Sequence, residues 1–118
     1  SHEKSLKGSK VLVLGVAYKP DIDDIRESPA IDIIRLLQQK SAKVSYHDPY
    51  INKIVHDDWS IETVKDLMSE VAAADCVAII TNHKVYDYAE ILAKAKLIVD
   101  TRNALGDKGR DNPKVVKL

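Results

Sequence analysis

Short apolar runs alternate along the chain with stretches whose apolar residues recur at helical spacing. Four runs are typical of strands, and they span residues 10–16, 43–47, 76–80 and 96–100. Three amphipathic stripes predict helices: Ala30, Ile33, Ile34 and Leu37; Val64, Leu67, Met68 and Val71; and Tyr88, Ile91, Leu92 and Ala95. Ser28 suits an N-cap and Pro29 suits the first helical position, so the first helix is expected to begin there.

Strands that alternate with helices predict an α/β fold with right-handed crossovers and a mostly parallel sheet. We expect a three-layer, Rossmann-like arrangement in which a sheet of about five strands carries helices on both faces. Four of the strands are the runs above, and the fifth is expected within residues 52–63. Near the end of the chain a short apolar pair, Val115-Val116, follows glycine and proline punctuation, and we assign no strand to it.

Composition limits the size, the partners and the location. The 118 residues suit one domain, and residues 1–7 resemble a tag remnant or linker ahead of a domain at 8–118, so a longer parent protein is expected. With 18 basic and 18 acidic side chains the formal net charge is +0, and we expect no nucleic-acid or membrane partner. The one cysteine, Cys76, is expected to pack in the core, and a cytoplasmic location is predicted.

The densest group of charged residues follows the first predicted strand. Lys19 and Arg26 are cations that can neutralise a phosphate or pyrophosphate. Three carboxylates lie between them, at Asp21, Asp23 and Asp24. A position between a strand end and a helix N-terminus is where open α/β sheets bind ligands. The alternative, which spacing leaves equally open, is that both cations pair with the neighbouring acids on a solvated loop.

Residue spacing excludes two specific ligand sites in this segment. A calcium loop that begins at Asp21 would need glycine where Arg26 stands and glutamate where Asp32 stands. A dinucleotide fingerprint would need glycines where Ala17 and Pro20 stand. We therefore predict no metal site and no dinucleotide loop in this segment.

Polar side chains also follow the other predicted strands. They are Asp48 after the second strand, Thr81 and His83 after the third, and Arg102 after the fourth. The ends of parallel strands share one edge of a sheet, so a common site is expected there. Asp48-Pro49 is more typical of a turn than of a ribose ligand. Arg102 is either a ligand contact or an ion-pair partner of Asp100 or of the acids at 21–24, and His47 is interpreted as structural or surface.

Four segments together resemble the C-terminal domain of the UDP-glucose/GDP-mannose dehydrogenase family. They are KVLVLGVAYKPDIDDIRESPA, VSYHDPY, ADCVAIITNH and IVDTRN, and the resemblance extends over about residues 8–116. It implies a UDP-binding, substrate-binding domain of an NAD-dependent enzyme. Such an enzyme oxidises the C6 alcohol of a UDP-sugar, a UDP-N-acetylhexosamine or UDP-glucose, to a uronic acid.

The resemblance also implies roles for individual residues. Substrate contacts are implied for Tyr18, Lys19 and Arg102. Contact with the NAD pyrophosphate is implied for Arg26. Orienting roles are implied for Asp24, Glu27, Thr81 and His83.

The family's catalytic cysteine and its G-x-G-x-x-G element do not occur in this sequence. The resemblance therefore implies that N-terminal and central domains of the same protein make most of the NAD contacts and carry the catalytic residues. It also implies that the whole protein is a homodimer or a higher homo-oligomer. This chain alone is expected to be inactive. Two alternatives remain from the residues: a receiver-like signalling module, to which Thr81 fits loosely, and a D-x-D phosphohydrolase, whose usual threonine is replaced by Ile25.

Overall fold

The computed structural model describes residues 7–17, 28–56 and 59–117, and for His56 it describes the backbone alone. In chain order the elements are β1 (Lys10–Leu14), α1 (Pro29–Gln39), β2 (Lys43–His47), β3 (Lys53–His56), β4 (Trp59–Glu62), α2 (Leu67–Ala73), β5 (Cys76–Ile79), α3 (Tyr88–Lys94), β6 (Ile98–Asp100), a 3-10 turn (Gly106–Gly109) and β7 (Val115–Lys117).

In the described part of the chain, the main sheet has five parallel strands in the spatial order β2-β1-β5-β6-β7. The predicted α/β class, with a mostly parallel sheet of about five strands, is confirmed. The placement of the fifth strand is wrong, because the region 52–63 forms β3 and β4, an antiparallel hairpin that is a separate sheet. The fifth strand is instead β7, in which Val115 pairs with Ile98 and Val116 with Val99.

Two apolar cores cover the two faces of the main sheet, because successive side chains of a strand point to opposite faces. Leu12 and Leu14 of β1 belong to the core that includes Val71 of α2 and Ile91 of α3. Val13, which lies between those two leucines, belongs to the other core with residues of α1 and of the β3–β4 hairpin. The helices therefore lie on both faces of the sheet, as the sequence predicts.

Helix α1 begins where the sequence predicts. The Ser28 hydroxyl accepts a hydrogen bond from the backbone N–H of Ala30 at 3.1 Å, and Pro29 is the first helical residue. A cap of this kind contributes about 1 kcal/mol. Ala30 and Ile34 are fully buried beneath the helix, whereas Leu36 on the outer face is exposed. One capped end and one buried face thus anchor α1 to the sheet.

The carboxyl ends of the main strands lie along one edge of the sheet, since the strands run in the same direction. Helices α2 and α3 begin at aspartate caps, where Asp66 accepts from the N–H of Ser69 and Asp87 from the N–H of Glu90. These local caps set where each of the two helices begins. Because the strands are parallel, the loops after β1, β2, β5 and β6 lie at the shared edge.

Candidate functional site

The structure describes only part of the site that the sequence predicts. Several predicted residues lie outside the described residues: Tyr18, Lys19, Asp21, Asp23, Asp24, Arg26 and Glu27. Thr81, His83 and Arg102 are described, and each follows the carboxyl end of a parallel strand. The expected convergence of strand ends is therefore observed for β5 and β6, and Asp48 adds the end of β2.

The chain leaves β1 through a tight turn formed by Gly15, Val16 and Ala17, called here the β1 turn. Gly15 has φ +82°, and a Cβ added there would lie 2.5 Å from the backbone oxygen of Thr81. The N–H of Gly15 donates to the carbonyl of His47 at 2.9 Å. Only glycine fits both this left-handed backbone and this close approach. The β1 turn is therefore packed tightly between the ends of β2 and β5.

Asp48 holds the β1 turn through its carboxylate. Its Oδ2 accepts from the N–H of Val16 at 2.8 Å and from the N–H of Ala17 at 3.1 Å. Its Oδ1 accepts from the N–H of Tyr50 at 2.8 Å, which is the local turn that the sequence predicts. The contacts with the β1 turn were not predicted, because the partners lie 31 and 32 residues away in the chain.

Asp48 and His83 form a buried pair. The Nε2 atom of His83 lies 2.9 Å from Oδ2 of Asp48, and both side chains are 0% exposed. Burial alone would raise the pKa of Asp48, but hydrogen bonds from His83 and from three backbone N–H groups outweigh it and hold the pKa below its usual range. Asp48 is therefore an ionised carboxylate in the folded chain at neutral pH.

Thr81 holds the same turn from the β5 side. Its hydroxyl donates to the carbonyl of Ala17 at 2.7 Å, and its side chain is buried. Its backbone N–H donates to the carbonyl of Leu14. Thr81 and His83 are thus brought together with Asp48 around the backbone of Ala17, the last described residue before Tyr18.

The β1 turn offers no cradle for a dinucleotide pyrophosphate. In dinucleotide-binding folds, free backbone N–H groups of the turn after the first strand hold the phosphates. Here the N–H groups of Val16 and Ala17 already donate to Asp48, whose negative charge also repels a phosphate. The β1 turn therefore does not fit the pyrophosphate of NAD, and the glycines of a dinucleotide fingerprint are missing at Ala17 and Pro20.

An aromatic cluster packs beside the Asp48–His83 pair. The ring of His83 lies 5.0 Å from that of Tyr50 and 5.9 Å from that of Tyr86. The hydroxyl of Tyr86 donates to the carbonyl of His47, so Nδ1 of His47, 2.9 Å from the same hydroxyl, carries a proton and donates to it. Burial lowers the pKa of His47 and raises the pKa of Tyr86. No pattern in the sequence indicates this role for Tyr86, which lies in a loop.

Asp100 and Arg102 form the β6 side of the edge. The Asp100 carboxylate accepts from the N–H groups of Arg102, Ala104 and Leu105 at 3.0 to 3.1 Å. The alternative in which Arg102 pairs with Asp100 is not observed in the described part of the chain, because Asp100 uses its oxygens on backbone donors. The Arg102 side chain is exposed and makes no ion pair with any described residue, and its other alternative partners, the acids at 21–24, lie outside the described residues.

Cys76 is not set up as a nucleophile. It opens β5 half-buried, and burial, with a smaller effect from Asp75, raises the pKa of its thiol. A reactive cysteine needs a lowered pKa.

Within the described residues, no group of three or more His, Cys, Asp or Glu side chains is arranged to hold a metal ion. Among the described helices, none combines the length and apolar character that crossing a membrane requires.

Comparison with known proteins agrees with this architecture. The family model for the UDP-glucose/GDP-mannose dehydrogenase family, UDP binding domain, matches residues 12–107. The chain is 34% identical over 107 residues to a UDP-glucose 6-dehydrogenase of Rhizobium meliloti, a match that covers 83% of this chain and 24% of that protein. It is 31% identical over 109 residues to a UDP-N-acetyl-D-mannosamine dehydrogenase of Methanococcus vannielii, with 86% and 24% covered.

The solved structures give the same result. The NDP-N-acetyl-D-galactosaminuronic acid dehydrogenase of Methanosarcina mazei superposes with a TM-score of 0.75 at 30% identity, over 98% of this chain and 25% of that one. The chain spans about a quarter of the length of the curated relatives it matches. It belongs to the UDP-glucose/GDP-mannose dehydrogenase family and corresponds to the family's UDP binding domain.

Proposed function

We propose that this chain is the C-terminal, UDP-binding domain of an NAD-dependent nucleotide-sugar 6-dehydrogenase. The whole enzyme would oxidise the C6 alcohol of UDP-glucose or of a UDP-N-acetylhexosamine to a uronic acid. The observation that carries this proposal is the exposed Arg102, without an ion-pair partner among the described residues, on a loop that Asp100 fixes at the ligand-binding edge of the sheet. The domain would occupy residues 8–118, after a tag remnant or linker at 1–7.

Arg102 would bind the diphosphate of the UDP-sugar. A guanidinium donates two parallel hydrogen bonds to phosphate oxygens, and such charge-assisted bonds are stronger than neutral ones. The backbone of Arg102 is already held by the buried Asp100, so little ordering of the loop is needed on binding. This residue would therefore supply both charge and orientation to the substrate.

The remaining site roles come from the family resemblance. Tyr18 and Lys19 would contact the nucleotide sugar, and Arg26 would reach the NAD pyrophosphate across a cleft between domains. NAD would be bound mainly by an N-terminal domain, which fits the lack of a phosphate cradle in the β1 turn. Orienting roles are proposed for four residues: Asp24, Glu27, Thr81 and His83.

The chemical step would take place in the rest of the enzyme. NAD supplies hydride acceptance there, whereas this chain would bind and orient the nucleotide sugar. Neither a G-x-G-x-x-G element nor a glycine-flanked cysteine occurs in the 118 residues, and the raised pKa of Cys76 is unsuited to covalent catalysis. The chain alone is therefore expected to reduce no NAD. Its proposed partners are the enzyme's own N-terminal and central domains in a cytoplasmic homodimer or higher homo-oligomer.

Family membership supports this reading over a receiver-like signalling module. The position of Thr81 also argues against that module, because its hydroxyl must face the phosphoryl group there. Here the hydroxyl donates to the carbonyl of Ala17, and the side chain is 2% exposed.

Titration of the chain with UDP, followed by NMR chemical shifts, tests the proposal. Arg102→Ala is expected to weaken UDP binding by at least about tenfold, because a charge-assisted contact is lost. Arg110→Ala is the matched control, since Arg110 is an exposed arginine eight residues further on that pairs with Asp107 at 2.8 Å. Failure of the unaltered chain to bind UDP, or equal weakening by both substitutions, would contradict the proposal.

A further inference from the structure

The loop that carries Arg102 is anchored on both sides of that residue. Before it, the Thr101 hydroxyl donates to the carbonyl of Ile79, the last residue of β5, at 2.7 Å. After it, Leu105 is 3% exposed and packs in the core that contains residues of α2 and α3. Only residues 102–104 lie between these two anchored positions, so the exposed Arg102 is part of a short, tethered segment.

Asn103 turns the chain between these anchors. Its φ is +53°, in the left-handed region that few residues other than glycine, asparagine and aspartate adopt. Beyond this turn, the N–H groups of Ala104 and Leu105 reach the carboxylate of Asp100 at 3.0 and 3.1 Å. The Asn103 carbonyl accepts from the N–H of Gly106 at 3.2 Å. A right-handed or extended backbone at position 103 would direct the chain away from Asp100, so the closed loop depends on this conformation.

The side chain of Asn103 does not hold the loop. It is exposed and makes no hydrogen bond with any described residue, so the contribution of Asn103 within the described part of the chain is its backbone conformation. Asparagine adopts the left-handed region more readily than alanine does, and glycine adopts it freely. Substitution at this position can therefore change the backbone preference and the side chain separately.

We propose that Asn103 is a positioning residue for the Arg102 guanidinium, acting through its left-handed backbone and without touching the ligand. The proposal rests on the proposed function, because it takes Arg102 as the contact with the UDP diphosphate. A loop already closed on Asp100 presents Arg102 ready to bind, whereas an open loop must first close. The apparent dissociation constant for UDP therefore rises as the closed fraction falls.

Two substitutions at Asn103 separate backbone conformation from side-chain contact. Asn103→Ala removes the amide and disfavours the left-handed region, and it is expected to weaken UDP binding about three- to fivefold, measured by NMR titration. Asn103→Gly also removes the amide but adopts that region freely, so UDP binding should stay within about twofold of that of the unaltered chain. If both variants weakened binding equally, the amide itself would contact the ligand, and the positioning role would be wrong.

A double-mutant cycle with Arg102 tests whether the effect acts through the guanidinium. With Arg102→Ala already present, Asn103→Ala should weaken UDP binding by less than about 1.5-fold, because the group that it positions is gone. Circular dichroism checks that each variant is folded. Additive effects of the two substitutions would overturn the positioning role.

Asp111→Ala and Asp111→Gly are the matched controls. Asp111 is also exposed and left-handed, with φ +58°, but it lies beyond the 3-10 turn and makes no hydrogen bond with Asp100 or Arg102. Both variants remove the same carboxylate, so a difference between them reports backbone strain alone. They should bind UDP equally, whereas the alanine and glycine variants at Asn103 should differ. The same difference at both positions would indicate a general effect of strain and overturn the positioning role.

The outcomes also distinguish this proposal from the proposed function. An unaltered chain that does not bind UDP overturns the proposed function. A chain that binds UDP with no effect of Arg102→Ala overturns the Arg102 contact together with its positioning. A chain that binds UDP through Arg102, but in which Asn103→Ala has no effect, overturns the positioning role alone. Weakening by Asn103→Ala that glycine restores and that disappears with Arg102→Ala supports the proposal.

Discussion

Two buried aspartates hold loops at the same edge of the sheet, but they reach their partners differently. Asp100, at the end of β6, binds backbone N–H groups two to five residues further along its own chain. Asp48, after β2, binds the β1 turn 31 and 32 residues away and His83 35 residues away. Asp100 is 1% exposed and Asp48 is 2% exposed as whole residues, so burial does not distinguish them.

The difference indicates two kinds of support for the proposed ligand-binding edge. The Asp100 loop is a local motif that orders itself and presents the exposed Arg102. The Asp48 contacts join three strand ends, so they form only when β1, β2 and β5 are already side by side. We therefore expect damage at the Asp48 end to affect the whole fold, and damage at the Asp100 end to remain local.

The largest expected effect is at the glycine of the Asp48 end. Gly15→Ala should lower the free energy of unfolding by about 3 kcal/mol or more, since it combines left-handed strain with a clash against backbone. The added Cβ would lie 2.5 Å from the Thr81 oxygen and 2.9 Å from its nitrogen, and neither atom can move without disturbing β5. Urea denaturation followed by circular dichroism measures the change.

Gly106 provides the matched control in the Asp100 loop. It has φ +54°, and a Cβ added there would meet nothing within 4 Å. Gly106→Ala should therefore cost only the strain of a left-handed alanine, about 1 kcal/mol. Equal losses for the two glycines would show that the close approach to Thr81 contributes nothing and that the two ends are equivalent.

The second effect compares the aspartates directly. Asp48→Asn should lower the free energy of unfolding by about 3 kcal/mol, because an amide cannot accept from all the donors around Asp48 and the buried pair with His83 is broken. Asp100→Asn should lower it by about 1–2 kcal/mol, because its donors are local backbone groups that can adjust together. Urea denaturation at neutral pH gives both values.

The spread of the damage provides an independent measurement. Hydrogen exchange in Asp48→Asn should increase at the amides of β1, β2 and β5, whereas in Asp100→Asn the increase should stay within residues 101–106. If Asp48→Asn and Asp100→Asn lost the same stability and showed the same exchange pattern, the distinction between the cross-strand contacts of Asp48 and the local contacts of Asp100 would be contradicted.

The local and cross-strand character of these contacts also explains what the sequence could predict. The start of α1 follows from Ser28 and Pro29, and the loop position of Arg102 follows from an apolar strand before it, since each signal is contained in a few neighbouring residues. The role of Asp48 as support for the β1 turn depends on strand neighbours that no local pattern identifies. The sequence therefore predicted a turn at Asp48-Pro49 and a place for Asp48 at the shared edge, but not its contacts with the β1 turn.

The same limit applies to the strands. Residues 43–47 match β2, where Val44 and Tyr46 alternate with polar residues as is typical of a strand. Strand β7 has three residues, Val115–Lys117, and becomes a strand only by pairing with β6, so its composition gave too little signal. The hairpin at 53–62 has strand-forming residues, but the antiparallel pairing of β3 with β4 keeps it out of the main sheet.

The smallest expected effect is the pH dependence that Asp48 contributes. Its pKa is held below the usual range, so the unfolded chain binds the proton more readily than the folded chain does. The stabilisation from Asp48 is therefore complete above the unfolded pKa of about 4 and is lost as the pH falls through the lower folded pKa. Urea denaturation between pH 7 and pH 2 should show a smaller loss of stability below about pH 4 in Asp48→Asn than in the unaltered chain.

His47 adds a second pH dependence in the same experiment. Burial lowers its pKa, so its contribution is complete above about pH 6.5 and is lost as the pH falls below that value, in both chains. The charge of Asp48 opposes this lowering, so in Asp48→Asn the loss that begins near pH 6.5 should become deeper while the loss below about pH 4 becomes smaller. If the stability of the unaltered chain and of Asp48→Asn changed with pH in parallel, Asp48 would have the same charge interactions in the folded and the unfolded chain.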